Sequence, residues 1–371
     1  MNRKLGGKIL IVITRSNPVS PDPRVEKIIS VAKEIDDVTV ICWGRELKSQ
    51  NEKIGNVSFI RIPIESKFGN GLQNLLPLIK WNYKLTLELF KLRKDITVIH
   101  ACDFDTVLPS IIIKKILAKK LIYDIFDFYV DSFNVPKLAK RLIRWLEIKS
   151  INISDFVIIA SEIRKKQILG AKQKNIEVIN NIPDIKEIKL EKPQNKKNII
   201  SYVGILQNNR GLTFMKSLIE NKQRNWTFNI AGFGILEEQF KDYPYFYGKV
   251  NYDTSLEMSN CSKLLFATYS PDVENHYYSD PNKFYEALAL GIPIIVSDNM
   301  AIKDLVTKYN VGYVVKYESE NDMIECLEDA ASLSENYMKK AQNTRQLYVE
   351  RYNWPKMKSK LEKIYNNYYE K

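Results

Sequence analysis

One stretch, residues 278–298, narrows the possible folds of this chain more than any other. Apolar residues repeat at helical spacing up to Leu288, and Gly291 followed by Pro293 ends the helix. Residues 292–296 then form an apolar run with the length of a strand buried on both faces, as in a parallel sheet. The stretch therefore predicts a helix that leads into a buried strand, the repeating unit of an α/β protein.

The start of this helix has the composition of an anion site. Residues 279–281 (Ser-Asp-Pro) can cap the helix and occupy its first turn. The amides of Asn282, Lys283 and Phe284 then point towards a ligand such as phosphate, and the Lys283 ammonium reinforces the site. Glu286, one turn further on, can accept hydrogen bonds from sugar hydroxyls. The alternative is an ordinary capped helix with a solvated Lys and Glu.

The same block resembles the C-terminal motif of glycosyltransferase family 4, retaining nucleotide-sugar enzymes with the GT-B architecture. Glu286, Gly291 and Pro293 match the later part of that motif, while Tyr278 stands where the family usually has a first glutamate. The resemblance implies that Glu286 holds the ribose of the donor. The Pro-Asn-Lys sequence at residues 281–283 resembles the same part of the motif in bacterial and archaeal members that build surface polysaccharides.

Length and composition bound the remaining possibilities. A chain of 371 residues predicts two domains. No run of about 18 apolar residues occurs, so we expect no membrane span. Residues 1–7 lack the pattern of a cleavable signal. With four isolated cysteines and two histidines, we expect a reduced, cytoplasmic protein without a metal site or other cofactor.

The positive charge is concentrated in the first half of the chain. Residues 1–190 contain 33 Lys and Arg against 21 Asp and Glu, whereas residues 191–371 contain 23 of each. This asymmetry predicts an anionic partner for the first half. Nucleic acid is not expected, because basic and aromatic residues are not interleaved as in a known nucleic-acid-binding module.

Two segments, 72–94 and 137–149, combine apolar and basic stripes. The basic stripe of the second comprises Lys137, Lys140, Arg141 and Arg144. A basic amphipathic helix is typical of a protein that lies on an anionic membrane, here the inner face of the cell membrane. The alternative is a helix that packs on the core and exposes its basic face.

The pattern of the first half predicts a parallel α/β domain with polar residues at its strand ends. The strand at 96–99 ends in His100 and Asp103. The resemblance implies that His100 faces the donor sugar and that Asp103 matches a frequent acidic position. It also puts Arg24 in a loop near the acceptor or a phosphate, although a capping, solvated role is the alternative. Asp127 stands where many relatives have the Glu of Asp-x-His-Glu, and we expect it on the acceptor side of the first domain.

In the second half, Gly204 follows a strand and lets backbone approach a ligand closely. Arg210 can pair bidentately with a pyrophosphate. The family usually has an Arg where Ile205 stands, so one of its two usual cations is absent, and Lys283 is a candidate to compensate. Gly232 begins a Gly-x-Gly turn that we expect near the donor, although Glu237 excludes a full dinucleotide fingerprint.

The predicted organisation is α/β with the GT-B fold, two Rossmann-like domains with parallel sheets facing across a cleft. The first domain covers residues 1–184, a polar linker 185–198 and the second domain 199–351. We expect the C-terminal segment 352–371 to pack back on the first domain as a helix.

The resemblance implies transfer of a sugar, with retention, from a UDP- or GDP-linked donor to a glycan or polyprenyl-diphosphate-linked acceptor. Arg210 and Lys283 would stabilise the leaving diphosphate without a metal ion, and His100 and Asp103 would orient the sugar. Two alternatives stay open, a sugar-nucleotide epimerase of the same fold and a catalytically degenerate protein that binds through its basic surface.

Overall fold

The computed structural model describes residues 10–19, 22–45, 51–66, 74–131, 136–185 and 188–368. The chain divides into two compact units, the first comprising residues 1–181 with 357–371 and the second residues 182–356. The expected signal-free N-terminus at 1–7 and the start of the segment 72–94 lie outside the described residues. Within the described part of the chain, no helix is long and apolar enough to cross a membrane.

The first unit is built on an eight-stranded sheet with strand order 3-4-2-1-5-6-7-8. Its strands are β1 (Leu10–Arg15), β2 (Asp37–Gly44), β3 (Glu52–Ile54), β4 (Val57–Pro63), β5 (Ile96–Cys102), β6 (Lys120–Ile125), β7 (Phe156–Ile159) and β8 (Ile176–Val178). Every neighbouring pair is parallel except β3 with β4. The predicted parallel sheet is confirmed. The antiparallel β3 was not predicted, because its three residues are exposed and lack an apolar pattern.

Four helices connect these strands, α1 (Pro23–Ile35), α2 (Leu75–Lys91), α3 (Phe104–Leu117) and α4 (Lys137–Ile153). The chain moves in one direction across the sheet through α1 and in the other through α2, α3 and α4. Because such crossovers are right-handed, α2, α3 and α4 lie together on the face opposite α1. One hydrophobic core beneath them contains Trp81, Leu85, Val107 and Ile151.

The second unit has a five-stranded, entirely parallel sheet with order 10-9-11-12-13. Its strands are β9 (Lys197–Leu206), β10 (Thr227–Gly234), β11 (Ser262–Ala267), β12 (Ile294–Ser297) and β13 (Gly312–Val315). Its helices are α5 (Leu212–Lys222), α6 (Glu237–Phe240), α7 (Tyr252–Asn260), α8 (Glu274–Tyr277), α9 (Asn282–Leu290), α10 (Lys303–Tyr309), α11 (Glu320–Ala331) and α12 (Glu335–Glu350). The predicted helix and buried strand are α9 and β12, and Gly291 ends α9 with a φ of 62°.

Most of the last helix, α13 (Trp354–Asn366), belongs to the first unit, which takes residues 357–371. Lys358 pairs with Glu34 of α1 at 2.7 Å, and Lys360 pairs with Glu177 of β8 at 2.7 Å. The Tyr365 hydroxyl lies 2.7 Å from Nδ1 of His100. Side chains of α13 therefore contact one helix and two strands of the first unit, α1, β5 and β8.

Candidate functional site

In the second unit, β9 and β10 end side by side, with Gly232 opposite Gly204. A Cβ at Gly232 would lie 1.8 Å from the carbonyl oxygen of Gly204, and φ is +140°. The Gly232 amide donates to the Gly248 carbonyl at 2.7 Å. Close pairing of β9 with β10 therefore explains why residue 232 is a glycine. The local geometry gives no additional evidence for the expected donor-binding role of Gly232.

Gly204 leaves the space that Lys283 occupies. The Lys283 ammonium would be 2.9 Å from a Cβ at 204, and it lies 4.2 Å from the ring centroid of Tyr202. The pKa of Lys283 is lowered to about 8, mainly by burial; Glu286 opposes this shift and Arg210 adds to it. Helix α9 thus places beside the end of β9 a lysine that loses its proton more easily than an ordinary lysine does.

Neutral groups hold Arg210 in place. It ends a 3₁₀ turn at Asn208–Arg210, and its guanidinium lies 3.7 Å from the ring centroid of Tyr269. Nη1 lies 3.3 Å from Nε2 of His276, and Nη2 donates to Gln207 Oε1 at 3.3 Å. Among the residues that the structure describes, no carboxylate forms an ion pair with Arg210. Its positive charge is therefore oriented but not neutralised.

The tautomer of His276 follows from its second contact. Nδ1 lies 2.8 Å from the carbonyl oxygen of Ser270, which can only accept, so Nδ1 carries the proton and Nε2 accepts from Arg210. Burial lowers the pKa of His276, and the Arg210 charge lowers it further. A neutral imidazole therefore orients Arg210.

The start of α9 differs from the sequence prediction. Pro281 is the residue before the helix, and no side chain caps it. Asp280 instead accepts from the Tyr285 hydroxyl at 2.5 Å, and Ser279 donates to the Asn275 carbonyl at 3.1 Å. The expected capping by these two residues is wrong, because both side chains are used in other contacts.

The predicted anion site is also smaller than expected. The Phe284 amide donates to the Pro281 carbonyl at 2.8 Å, and the Phe284 ring is fully buried. Asn282 and Lys283 remain at the tip of α9, where Asn282 is exposed. Phe284 therefore anchors the helix in the core, and its predicted role in binding a donor is corrected.

Glu286 lies one turn into α9, close enough to Lys283 to stabilise its charged form. The Tyr252 hydroxyl of α7 bonds to this carboxylate, and burial followed by the Glu286 charge raises the pKa of Tyr252 well above its usual value. The second unit thus brings together Gly204, Arg210, Lys283 and Glu286. Two cations beside one carboxylate suit a diphosphate that carries a hydroxylated sugar.

Sequence reasoning singled out these four residues but missed the side chains that hold them. These supporting residues are Tyr202, Gln207, Tyr252, Tyr269 and His276. The sequence offered one weak signal, the position of Tyr202 near the end of a strand. The others come from separate loops and helices, so only the fold reveals that they converge.

In the first unit, His100 is fully buried. Its Nε2 donates to Asp124 Oδ2 at 3.3 Å, and Nδ1 accepts from the Tyr365 hydroxyl at 2.7 Å. Both ring nitrogens are thus occupied by protein groups. This geometry corrects the expectation that His100 faces a donor sugar, because a strand-end histidine is covered here by a residue of the last helix.

Arg24 is also buried, and Asp124 is its main partner. Nη2 and Nε donate to the Asp124 carboxylate at 2.6 and 3.3 Å, and Nη1 donates to the Ile179 carbonyl at 2.7 Å. The alternative of a capping, solvated arginine is wrong, and Asp22 caps α1 instead. Arg24 joins the ends of β6 and β8 and has no geometry in the first unit that favours an acceptor role.

Asp103 is held by Arg15, which also pairs with Asp22 at 2.9 Å. Its other carboxylate oxygen accepts from the Phe126 amide at 2.9 Å. Burial raises the pKa of Asp103 to about 6, although Arg15 opposes the shift. Arg15 and Arg24 both lie over the ring of Phe126, at 4.4 and 4.8 Å from its centroid. Asp103 therefore belongs to a partly buried charge cluster.

The other acceptor-side residues divide into two groups. Three are used within the fold: Asp127 pairs with Arg164 at 2.7 Å, Lys140 lies 3.7 Å from Asp131, and Arg144 donates to the Gln167 carbonyl at 3.0 Å. Lys137 and Arg141 are exposed. Across the described ranges, no group of His, Cys, Asp and Glu side chains has the arrangement of a metal site.

Comparison with known proteins connects the second unit to a family. Residues 197–332 match the family model described as "Glycosyl transferases group 1". They include Gly204, Arg210, Lys283 and Glu286, so the whole cluster lies inside the matched region. Comparison with curated protein sequences gives no significant match.

Solved structures show the fold of the whole chain. The sucrose-phosphate synthase of Thermosynechococcus elongatus superposes with a TM-score of 0.75 at 12% identity, covering 98% of this chain and 99% of the other. The Anabaena protein HepE, in complex with UDP and glucose, gives 0.69 at 12% identity over 96% and 99%. The lipopolysaccharide outer core galactosyltransferase WaaB gives 0.58 at 16% over 97% and 98%. The predicted GT-B fold is confirmed.

Proposed function

We propose that the protein is a retaining glycosyltransferase that transfers a sugar from a nucleotide-sugar donor. The observation that carries the proposal is the cluster of Arg210, Lys283 and Glu286 beside Gly204, inside the group 1 domain. Arg210 has no paired carboxylate among the described residues, and Lys283 has a lowered pKa. Both properties favour uptake of a polyanion. Binding of UDP and glucose by HepE supports a UDP-linked donor, and a GDP-linked donor is the other candidate.

In this reaction the bond from the anomeric carbon to the phosphate breaks, and negative charge accumulates on the leaving diphosphate. Arg210 and Lys283 are positioned before the reaction, so they stabilise this charge at little reorganisation cost. Glu286 accepts hydrogen bonds from ribose hydroxyls. We propose that the acceptor hydroxyl attacks from the face that the diphosphate leaves, which retains the configuration, and that the diphosphate accepts its proton.

We further propose that no metal ion is required, because two protein cations already face the diphosphate. Donor binding and transfer should then be unchanged when a chelator such as EDTA is added. A rise in activity on addition of Mg²⁺ or Mn²⁺ after chelation would contradict this part of the proposal.

The acceptor that we propose is a glycan or a polyprenyl-diphosphate-linked sugar, in the synthesis of a cell-surface polysaccharide. The support is the excess positive charge of residues 1–190, which suits a diphosphate-bearing lipid at the inner face of the membrane. An epimerase of the same fold would release UDP or GDP without an acceptor. Acceptor-dependent release therefore distinguishes the two enzymes.

Replacing Glu286 by alanine tests the donor site. Wild-type protein should be stabilised thermally by one nucleoside diphosphate or its sugar, because a ligand that binds only the folded state raises apparent stability. We expect the variant to bind that ligand roughly 10- to 100-fold more weakly, since a group that holds charged or hydroxyl partners contributes about 1.5–3 kcal/mol. Thermal-shift titration measures both effects.

The matched control is Glu325→Ala, which removes an exposed glutamate of α11 in the same unit. It should bind the nucleotide as wild type does. A wild-type protein that no nucleotide stabilises, or a Glu286→Ala variant with unchanged affinity, would overturn the donor site.

A further inference from the structure

Helices α2, α3 and α4 carry an unusual share of the exposed apolar surface. The described chain has twenty exposed large hydrophobic residues, and eleven of them lie on these three helices, six on α2, two on α3 and three on α4. All three helices cover the same face of the first sheet. Their outer sides therefore form one continuous region, which we call the α2–α4 face.

On α2, the exposed apolar row is distinct from the core row. Trp81, Leu85 and Leu89 are fully buried against the sheet, whereas Leu76 and Tyr83 are 71% and 65% exposed. The exposed row follows helical spacing on the opposite side, so it is not part of the core.

On α4, Leu138, Leu142 and Trp145 recur at the spacing of one helix side and are 79%, 58% and 54% exposed. These three side chains do not pack on the core, whereas Leu146 and Ile151 of the same helix do. Lys149 places its ammonium 4.7 Å from the Trp145 ring centroid. Exposed Lys137 and Arg141 flank the same stripe. Apolar tips bordered by long cationic side chains are typical of helices in the headgroup region of a bilayer.

The charge of the three helices is predominantly positive. They contain ten Lys and Arg against three acidic residues. Of those three, Glu147 is buried, and Asp105 accepts from Ser16 at 3.0 Å. The surface presented to solvent is therefore cationic as well as apolar. A second copy of the same cationic face would be repelled, whereas anionic lipid would be attracted.

We propose that the α2–α4 face docks on an anionic phospholipid bilayer, with the apolar side chains of α4 and α2 entering the headgroup region. This inference depends only on the exposed apolar and basic residues of the face. The biological role of docking rests on the proposed transfer to a lipid-linked acceptor. Docking would hold the first unit where such an acceptor lies. It requires no membrane-spanning segment.

Vesicle co-sedimentation of the full chain tests the docking. We expect binding to phosphatidylcholine vesicles that contain phosphatidylglycerol, weak binding to phosphatidylcholine alone, and a decrease with added salt. The triple variant Leu138→Ser, Leu142→Ser, Trp145→Ser and the charge variant Lys137→Glu, Arg141→Glu should each lose at least about tenfold in affinity. All five positions are exposed, so both variants should fold.

The matched control is Lys241→Glu, Lys308→Glu, which makes the same charge change at exposed positions of the second unit and should bind as wild type does. Trp145 is the one exposed tryptophan of the five in the chain. Lipids with brominated acyl chains should therefore quench wild-type fluorescence but not that of the Trp145→Phe variant.

Unchanged vesicle binding of both α4 variants, or equal loss in the control, would overturn the inference. So would a concentration-dependent dimer, measured by analytical ultracentrifugation, that Trp145→Ser abolishes, because the face would then bind a second copy. UDP and GDP binding measured in parallel without lipid separates the two proposals. If the wild-type protein binds vesicles but neither nucleotide, only the donor site is contradicted. If it binds a nucleotide but no anionic vesicles, only docking is contradicted.

Discussion

Replacing Lys283 by methionine should weaken binding of the nucleoside diphosphate about 100-fold or more, and it should stabilise the free protein. Loss of a preorganised cation at a developing negative charge costs about 10²–10³ in rate, so transfer should fall by a similar factor. Stability should rise because the folded protein lowers the pKa of this ammonium to about 8, from an ordinary value of 10.5. Removing it relieves about 1–3 kcal/mol.

The pH dependence of the effect follows from the same shift. The unfolded chain binds more protons than the folded one between about pH 8 and 10.5, so wild-type stability should rise with pH across that window. The methionine variant should lack this rise. Nucleotide affinity should show the opposite trend and decrease as pH increases through about 8, where free Lys283 loses its proton. Urea denaturation and calorimetric titration at several pH values measure the two trends.

Lys308→Met is the matched control, because it removes an exposed lysine from the same unit. Neither its nucleotide affinity nor its stability should change by more than a few tenths of a kcal/mol. A Lys283→Met protein that is less stable than wild type and binds nucleotide normally would show that this lysine is structural.

Replacing Asp124 by alanine should destabilise the protein by about 3–5 kcal/mol, because it leaves a buried guanidinium without its partner. Arg24 donates two hydrogen bonds to this carboxylate and His100 donates one. Burial alone would raise the pKa of Asp124, but Arg24 and His100 outweigh it and hold the pKa below the usual value of 3.8. The stabilisation is thus present above pH 3.8 and is lost as pH falls through the lower folded pKa.

Asp127→Ala provides the comparison within the same segment. Asp127 also pairs with an arginine at 2.7 Å, but its side chain is 59% exposed. Exposed pairs contribute about 0–1 kcal/mol, so this variant should remain near wild-type stability. Equal destabilisation of the two variants in chemical denaturation would contradict the assignment of Asp124 as the buried anchor.

The four residues of the second-unit cluster could be predicted from the sequence, because each lies at a strand end or helix start that the local sequence pattern indicates. Gly204 and Arg210 follow one strand, and Lys283 and Glu286 occupy the first turns of one helix. Strand ends and helix starts converge at one edge of a parallel sheet, so the pattern indicates a common site. The Tyr202, Tyr269 and His276 contacts that orient the cations depend on packing between separate elements.

The first unit shows where local pattern fails. His100 bonds to Tyr365, 265 positions away, and Arg24 bonds to Asp124, 100 positions away. A polar residue at a strand end has the same sequence signature whether it faces a ligand or a buried partner. On α2, two apolar rows share the helical period, and the sequence does not distinguish the row that meets the sheet.

The α/β class, the parallel sheets, the α9–β12 unit and the concentration of positive charge in the first half could all be predicted from the sequence. These depend on helix stops, strand-length apolar runs and composition, which act over a few residues. Tertiary structure decided which charged groups are neutralised and which remain for a ligand. Arg24 and Asp103 are paired in the first unit, whereas Arg210 is held by uncharged groups. The physical reason is that charge pairing depends on strand order and burial, which bring together residues far apart in the chain.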